Sequence, residues 1–407
     1  MKKALIYCFS FDGHRQVYTQ YFIEALLRRG YSICLVSDSS EAGIRYPYLS
    51  AYQSNPSVEF KTIQKARSIS LMDFRKLQDD IGVELTVILE ADDHLKLLVH
   101  QILPGHPRLR GRNIGVFIRS VNYVHFPKQV HELKFTLQYI KSIVFRTINF
   151  FQFWDSNPFI FHEFFISRFK LLDAALTPDE IFVEAHPHIR QYHWFPDMIF
   201  PILPDDPHLE QTELDRWQPL LSRFLEANRG REILLYFGLA TRYKGYDTLL
   251  RLAFEEKCCF IHCGLFDTTA KYDEDVEELR WRLSSQGLLF ETGVYIQSRP
   301  TVRLFFESCT YVVLPYRNHL GSSGVMLQAI YFGKPVLVPD SGLMAARTRQ
   351  YQLGLTYHVD DNQDLKSEWE MLKSDSTGFT PHLIQYQQLF FNENVQHIID
   401  VILDSVK

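Results

Sequence analysis

At the start of the sequence, a short continuous apolar run is followed by apolar residues at helical spacing. The run Ala4–Phe11 predicts a buried strand, and a turn at Asp12–His14 follows it. The helical pattern stops at Gly30, and Ile33–Ser37 predicts a second strand, with a later one at Ile114–Arg119. A strand, a helix and a second strand in this order form a βαβ unit. We therefore expect a parallel sheet covered by helices in the first half of the chain.

The alternation of strands and helices resumes after a segment that is rich in proline. Trp194–Asp206 contains Pro196, Pro201 and Pro204, which excludes a regular helix or a central strand, and we place the link between domains there. Apolar runs after this link predict strands at Ile233–Phe237, Cys259–Cys263, Tyr311–Leu314 and Pro335–Val338. The second half therefore predicts another doubly wound sheet, whose ligands bind at the carboxyl ends of the strands.

Length and composition exclude several classes of protein. A chain of 407 residues with 46% apolar and 14% aromatic residues can bury the cores of two or three domains. No apolar run approaches the roughly 18 residues of a membrane span, and the first residues turn polar too early for a secretory signal, so we expect a cytoplasmic protein. The six cysteines form no CxxC pair, which favours reduced thiols over a disulfide framework or a zinc site. A net charge of −5 is not that of a general nucleic-acid binder, and we expect no nucleic-acid partner.

Positive charge is concentrated in one part of the first half. Residues 101–150 carry eight Lys or Arg residues and a single acid, Glu132. Within residues 129–150, apolar side chains recur at helical spacing, and Lys134, Lys141 and Arg146 lie off that line. This pattern predicts a basic amphipathic helix. Two interpretations stay open: the helix lies on an anionic membrane surface as a peripheral anchor, or it covers the core of its own domain.

The first candidate binding element follows the strand Ile233–Phe237. The strand ends at Gly238, a short loop then presents Arg242 and Lys244, and Gly245 precedes a helix. Two cations and free backbone N–H groups therefore meet at the carboxyl end of a strand, an arrangement that holds a diphosphate. The alternative is a solvated basic loop with a glycine turn.

The second candidate element follows the strand Tyr311–Leu314. A turn of Gly321, Ser322, Ser323 and Gly324 leads into a short helix, and either serine is a natural N-cap. The glycines allow a ligand to approach the exposed amides at the positive end of the helix, so an anion fits there too. Alone, this turn is equally well explained as a plain strand-to-helix connection with a serine cap. Together, the two loops belong to parallel strands of one sheet and can face a single diphosphate from two sides.

From Glu232 to Gly354 the sequence resembles the nucleotide-sugar-dependent glycosyltransferases of the GT-B fold, and in particular the retaining class called glycosyl transferases group 1, or family four. The likeness covers FGLATRYKG, TGVY, VVLPY, SSGVMLQAIYFGKPVL and PDSG. The resemblance implies two doubly wound Rossmann-like α/β domains whose parallel sheets face an interdomain cleft. On this basis we expect an acceptor domain at residues 1–195, a donor domain at 196–390, and a final helix at 391–407 that packs back on the first domain.

The resemblance also implies roles for individual residues. Those proposed for the donor site are Gly238, Arg242, Lys244, Val294, Asn318, His319, Gly321, Ser322, Ser323, Gly324 and Gln328. Arg242 and Lys244 match the basic pair that grips the donor diphosphate, and Val294 matches the loop whose backbone meets the nucleobase. Gln328 stands where the family usually has its second Glu, and an amide still bonds a ribose hydroxyl but carries no charge.

The sequence departs from the family pattern at two further positions. The usual first Glu falls at Leu320, so Asn318 or His319 is expected to reach the sugar hydroxyls instead. The Arg that often follows the glycine of the strand is Leu239 here, which leaves Arg242 as the substitute.

The first half is expected to bind the acceptor, and the resemblance implies a glycan or a lipid-linked molecule. Gly13 and His14 follow the first strand, and His125 follows another, so these residues are candidates for acceptor binding and catalysis. We expect a hexosyltransferase of polysaccharide or glycoconjugate biosynthesis that uses a nucleotide sugar as substrate. It needs no other cofactor and no metal ion, because the cations that face the phosphates are built into the chain.

Three other functions would explain parts of this pattern. A nicotinamide-dependent oxidoreductase would explain Asp38 after the second strand, but the first loop has Gly13 alone and no GxGxxG, so that reading is set aside. A nucleotide-sugar epimerase shares the GT-B architecture and stays open. A catalytically silent nucleotide-binding subunit also stays open, since Leu320 and Gln328 replace the two acids.

Overall fold

The computed structural model describes residues 2–11, 14–41, 48–64, 66–118, 166, 169–197, 199–200, 206–267, 269, 272, 275–359, 361–375, 377–391 and 395–406. The chain divides into two compact units. Unit 1 comprises residues 1–203 together with 393–407, and unit 2 comprises residues 204–392. The basic segment 129–150, in which a helix was predicted, lies outside the described residues.

Unit 1 is built on a seven-stranded parallel sheet. Its strands are β1 (Lys2–Tyr7), β2 (Tyr31–Asp38), β3 (Val58–Ile63), β4 (Leu85–Ile88), β5 (Arg112–Val116), β6 (Ala174–Thr177) and β7 (Tyr192–Trp194). They lie in the order β3-β2-β1-β4-β5-β6-β7, and every neighbouring pair is parallel. The order therefore reverses between β1 and β4, and ligands bind at such a switch point.

Helices cover both faces of this sheet. They are α1 (His14–Arg28), α2 (Leu71–Ile81), α3 (Leu95–His100) and α4 (Glu180–Ala185), with short 3-10 turns at Ser39–Glu41, Ser50–Tyr52, Ala66–Ser68 and Ala91–His94. Alternate residues of β1 enter two separate cores: Ala4 and Ile6 pack with α1, while Leu5 and Tyr7 pack with α2 and α3. Because both faces are buried, the strand is a continuous apolar run in the sequence.

Two predicted strands end earlier than expected. β1 ends at Tyr7 instead of Phe11, and β5 ends at Val116 instead of Arg119. Phe11 is nonetheless buried, with 1% of its surface exposed. Single backbone hydrogen bonds continue past both ends, from Cys8 to Val36 and from Phe117 to Leu176, but the regular strand pairing has stopped. Burial therefore extends the apolar run in the sequence beyond the regular strand.

The described residues of unit 2 form six further strands. They are β8 (Ile233–Phe237), β9 (Cys259–Cys263), β10 (Leu289–Glu291), β11 (Val312–Val313), β12 (Val336–Pro339) and β13 (Gly354–Tyr357). They form the parallel sheets β10-β9-β8 and β11-β12-β13, and a parallel bridge between Leu234 and Tyr311 joins β8 to β11. The combined order reverses between β8 and β11, which are therefore the strands at the switch point of unit 2.

The helices of unit 2 connect and cover these strands. They are α5 (Pro207–Ala227), α6 (Tyr246–Glu255), α7 (Val276–Ser285), α8 (Arg299–Ser308), α9 (Gly324–Tyr331), α10 (Gly342–Tyr351), α11 (Asn362–Ser374) and α12 (Thr380–Phe390). Each of the six cysteines is buried, and none is in a disulfide. In the part of the chain that the structure describes, no helix combines the length and the apolar character that crossing a membrane requires.

The last helix, α13 (Val395–Ser405), belongs to unit 1, although unit 2 precedes it in the sequence. It buries Ile399, Ile402 and Leu403 in the same core as α1. Asp400 on its other side accepts hydrogen bonds from the guanidinium groups of Arg28 and Arg29. Apolar burial and charge pairing therefore both fix α13 against α1.

Replacing Ile399 by Ala should destabilise unit 1 by about 2 to 5 kcal/mol, because the side chain is fully buried and leaves a cavity. Val401, on the same helix, is 52% exposed, and Val401→Ala should change stability by no more than about 0.5 kcal/mol. Urea unfolding followed by circular dichroism measures both. Equal effects of the two substitutions would show that α13 does not depend on its buried face.

Candidate functional site

Two loops leave the sheet at the switch point of unit 2. The β8–α6 loop (residues 238–245) follows β8, and the β11–α9 loop (residues 314–323) follows β11. These are the two elements that the sequence singled out. Because β8 and β11 are neighbours and parallel, both loops leave the same edge of the sheet side by side.

The two loops are in direct contact. Gly245 has a φ of +67°, and a Cβ at this position would lie 2.1 Å from the carbonyl oxygen of Pro315. The backbone N–H of Arg317 donates to the carbonyl oxygen of Tyr243 at 2.8 Å. Only glycine accommodates both this conformation and this approach at position 245.

The side chain of Arg317 fixes the β8–α6 loop from the opposite loop. Its guanidinium donates to the carbonyl oxygen of Arg242 at 3.1 Å, to Thr248 Oγ1 at 3.0 Å and to Asp247 Oδ2 at 3.2 Å. Asp247 is fully buried, and it therefore requires a charged partner of this kind. The conformation of the loop that carries Arg242 and Lys244 is thus set largely by a residue about 70 positions away.

Lys244 lies close to the end of β8. Its Nζ is 3.1 Å from the point where a Cβ would stand on Gly238, whose φ is +110°. Burial lowers the pKa of Lys244 below its usual value. A partly desolvated ammonium next to a bare glycine backbone interacts more strongly with an anion than an exposed lysine does. The neighbouring Arg242 is exposed.

The second loop ends at the N-terminus of α9. Ser323 is its N-cap and accepts a hydrogen bond from the N–H of Met326 at 3.3 Å. A buried cation supports the turn, since Arg347 on α10 is 2% exposed and donates to Ser322 Oγ at 2.5 Å. The positive end of α9 and the charge of Arg347 both favour an anion at Gly321–Gly324.

His319 joins the two loops. Its Nε2 lies 3.0 Å from the carbonyl oxygen of Ser322, and its Nδ1 lies 2.5 Å from the hydroxyl of Tyr243. A carbonyl only accepts, so Nε2 carries the proton and Nδ1 accepts from Tyr243. Burial lowers the pKa of His319, and the charge of Lys244 lowers it further. The hydrogen bond to Ser322 acts in the opposite direction, but the net pKa is below the usual value. The neutral ring is therefore the favoured state.

The remaining predicted donor-site residues lie on neighbouring elements of unit 2. Asn318 is exposed and has a φ of +55°, which asparagine tolerates. Gln328 is half-buried on α9, one turn beyond Gly324. Val294 follows β10, and its carbonyl oxygen accepts from Thr292 Oγ1 at 3.0 Å. Their roles toward a ligand stay predictions.

The predicted residues of the first half are only partly within the described structure. His14 is the first residue of α1, whereas Gly13 and His125 lie outside the described residues. At the switch point of unit 1 the structure instead places an ion pair: Arg15 Nε is 2.8 Å from Glu90 Oε2. Glu90, two residues after the end of β4, is 3% exposed and has a φ of +50°. Strain of this kind is often retained at functional sites.

Three charged residues of these sites were not identified from the sequence: Arg317, Arg347 and Glu90. Each acts through a partner that is distant along the chain, as Arg317 does with Asp247 and Arg347 with Ser322. The only sequence signal was the presence of a charged residue beside or within an apolar segment, which does not identify a partner. Within the described ranges, no group of three or more His, Cys, Asp or Glu side chains is arranged to hold a metal ion.

Comparison with solved structures identifies the fold. HepE from Anabaena in complex with UDP has a TM-score of 0.62 and 11% identity, with 100% of both chains covered. Sucrose-phosphate synthase from Thermosynechococcus elongatus has a TM-score of 0.59 and 14% identity, and covers 100% of this chain and 98% of that one. The lipopolysaccharide outer core galactosyltransferase WaaB has a TM-score of 0.56 and 12% identity, and covers 100% and 99%. The predicted α/β fold of GT-B type, with two Rossmann-like units, is confirmed.

No protein-family model matches the chain, and no curated protein matches it.

Gly245→Ala should destabilise unit 2 more than Gly230→Ala does. Both glycines have positive φ, +67° and +85°, so both substitutions incur a backbone cost of about 1 to 2 kcal/mol. Nothing lies within 4 Å of a Cβ at Gly230, whereas one at Gly245 meets Pro315, which should add about 1 to 3 kcal/mol. Urea unfolding of the two variants measures the difference, and equal losses would contradict the close contact of the loops.

The stability of the wild-type protein should fall as the pH drops below about 6.5, partly because of His319. The pKa of His319 is lowered in the folded state, so the neutral ring contributes to the free energy of unfolding. This contribution is complete above the ordinary histidine pKa and is lost as the pH falls through the folded-state pKa. His319→Gln keeps a donor and an acceptor but does not titrate, so its free energy of unfolding should fall less steeply between pH 7 and pH 5. His397→Gln, at an exposed position of α13, is the matched control and should follow the wild type.

Proposed function

We propose that this chain is a glycosyltransferase that moves a hexose from a nucleotide sugar to a glycan or a lipid-linked acceptor. One observation carries the proposal: Lys244, the glycine backbone at Gly238 and the N-terminus of α9 meet at the switch point between β8 and β11. This arrangement fits a diphosphate better than any other common ligand, because it offers fixed positive charge and backbone donors but no carboxylate cluster.

The charge distribution suits the breaking of a sugar–phosphate bond. As the bond from the anomeric carbon to the phosphate oxygen breaks, positive charge grows on the ring and negative charge on the leaving diphosphate. Each fixed donor aimed at that phosphate contributes about 3 to 4 kcal/mol, if one donor of an oxyanion hole is a guide. Arg242, Lys244 and the turn 321–324 are the groups that we assign to this task.

The solved structures of similar fold support the same donor class. HepE has been solved in complex with UDP-glucose, and its TM-score to this chain is 0.56. Uridine diphosphate is therefore the first nucleotide to test, although the residues of this chain do not select the base.

We assign acceptor binding to unit 1. The pair of Arg15 and Glu90 at its switch point offers a donor and an acceptor of hydrogen bonds to sugar hydroxyls. His14 at the start of α1 keeps its proposed role, as do Gly13 and His125. We propose retention of configuration, with the leaving phosphate accepting the proton of the attacking hydroxyl, because the family resemblance implies it.

Attachment to an anionic membrane through residues 129–150 and a location in the cytoplasm stay predictions. The alternative, in which that segment covers the core of unit 1, stays open as well.

Thermal-shift measurements with uridine, guanosine and adenosine diphosphates, followed by assays of donor hydrolysis, test the proposal. Binding together with transfer or slow hydrolysis supports a transferase. Binding without cleavage of any nucleotide sugar favours the silent binding subunit. The observation behind this alternative is that Leu320 and Gln328 stand where the family has two acids. Rapid formation of free sugar products without any acceptor favours the epimerase.

Lys244→Ala should weaken nucleoside diphosphate binding and lower kcat by about 10²- to 10³-fold, the loss seen when one fixed donor of this kind is removed. Lys366 on α11 pairs with Glu255 at the surface, and Lys366→Ala is the control that should leave both quantities unchanged. Calorimetric titration and initial-rate kinetics measure the two effects. Unchanged kinetics of Lys244→Ala would remove the central assignment.

A further inference from the structure

A buried histidine lies beneath the β8–α6 loop. His262 belongs to β9 and is 1% exposed. Its Nε2 is 3.2 Å from the carbonyl oxygen of Gly238, and its Nδ1 is 3.3 Å from Glu291 Oε1. A carbonyl only accepts hydrogen bonds, so Nε2 is the nitrogen that donates to Gly238, while Nδ1 faces the carboxylate of Glu291.

Glu291, at the end of β10, anchors this ring. Arg280 on α7 donates to both carboxylate oxygens, at 3.2 and 2.8 Å, and the hydroxyl of Tyr246 donates at 3.0 Å. Burial alone would raise the pKa of Glu291, but the hydrogen bonds from His262 and Arg280 outweigh it and lower this pKa to about 2. Glu291 is therefore an ionised carboxylate, held by Arg280 and Tyr246, that fixes the ring of His262 below the loop.

The contacts of Gly238 determine which way the next peptide group points. The N–H of Gly238 donates to Cys263 at 2.7 Å, and its carbonyl oxygen lies so close to Gly264 that a Cβ there would be 2.0 Å away. Both groups of Gly238 therefore face β9. The peptide that follows is trans, so the N–H of Leu239 points the opposite way, toward β11 and the switch point.

The next residue confirms this alternation. The N–H of Ala240 again faces the β9 side and donates to the carbonyl oxygen of Leu265 at 2.8 Å. Among the residues that the structure describes, no acceptor is found for the N–H of Leu239. This donor therefore faces the crevice beside Lys244, whose Nζ adjoins Gly238.

We infer that the backbone amide of Leu239 is a ligand of the donor phosphate, and that His262 is the positioning residue that holds this amide in place. The inference rests on the proposed function and deepens it. His262 does not touch the ligand. It acts by fixing the carbonyl of Gly238, and with it the plane of the peptide that carries the Leu239 N–H.

The first test observes the amide itself in the wild-type protein labelled with [15N]leucine. The Leu239 resonance is assigned by its loss in Leu239→Met, which keeps the amide, and it is followed during titration with inorganic pyrophosphate and with UDP. We expect its proton signal to move downfield with both ligands. If calorimetry shows binding while this signal stays in place, the inference is wrong and the proposed function stands. If neither ligand binds, the proposed function fails and the inference fails with it.

The second test replaces the histidine. His262→Phe removes both ring nitrogens and should raise the Kd of UDP by about 10-fold or more, equivalent to at least about 1.4 kcal/mol. His262→Gln keeps one donor for Gly238 and should restore the Kd to within about 3-fold of the wild type. His94→Phe makes the same change at a buried histidine of unit 1 and should leave the Kd of UDP unchanged. Equal UDP affinity of His262→Phe and the wild type would overturn the positioning role.

Discussion

The two loops at the switch point of unit 2 touch because residue 245 has no side chain. Its Cα lies against the carbonyl of Pro315, and Arg317 then reaches across to the backbone of residues 242 and 243. A larger residue at 245 would separate the loops and leave buried Asp247 without the guanidinium that faces it. The geometry around Lys244 therefore depends on the absence of a side chain at residue 245. The hydrogen bonds of Arg317 and its ion pair with Asp247 depend on the same close approach of the loops.

Much of the fold could be predicted from the sequence because both sheets are parallel and buried on both faces. The strands β8 and β9 were predicted to the residue, since each is a short apolar run between turns. Phe11 is buried although β1 ends at Tyr7, so that strand was predicted too long. Of the site, local motifs identified both loops. They could not identify Arg317 or His262, because the partners of these residues are 70 and 29 positions away, at Asp247 and Glu291, and are set by the crossing of strands in space.

Unit 2 places polar and charged side chains beneath its loops and not only on them. Arg347 supports the turn before α9, and the group of His262, Glu291 and Arg280 supports the end of β8. The buried guanidinium of Arg347 is held in place by its partners, so it needs no reorganisation to meet an anion.

The return of α13 to unit 1 affects the order in which the chain can fold during translation. Domains generally form as the ribosome delivers them, the N-terminal one first. Here the core around α1 lacks Ile399, Ile402 and Leu403 until the whole of unit 2 has been synthesised. The nascent first unit therefore exposes an apolar groove throughout the synthesis of nearly two hundred later residues, an interval in which holdase chaperones would find a binding surface that the finished protein no longer offers.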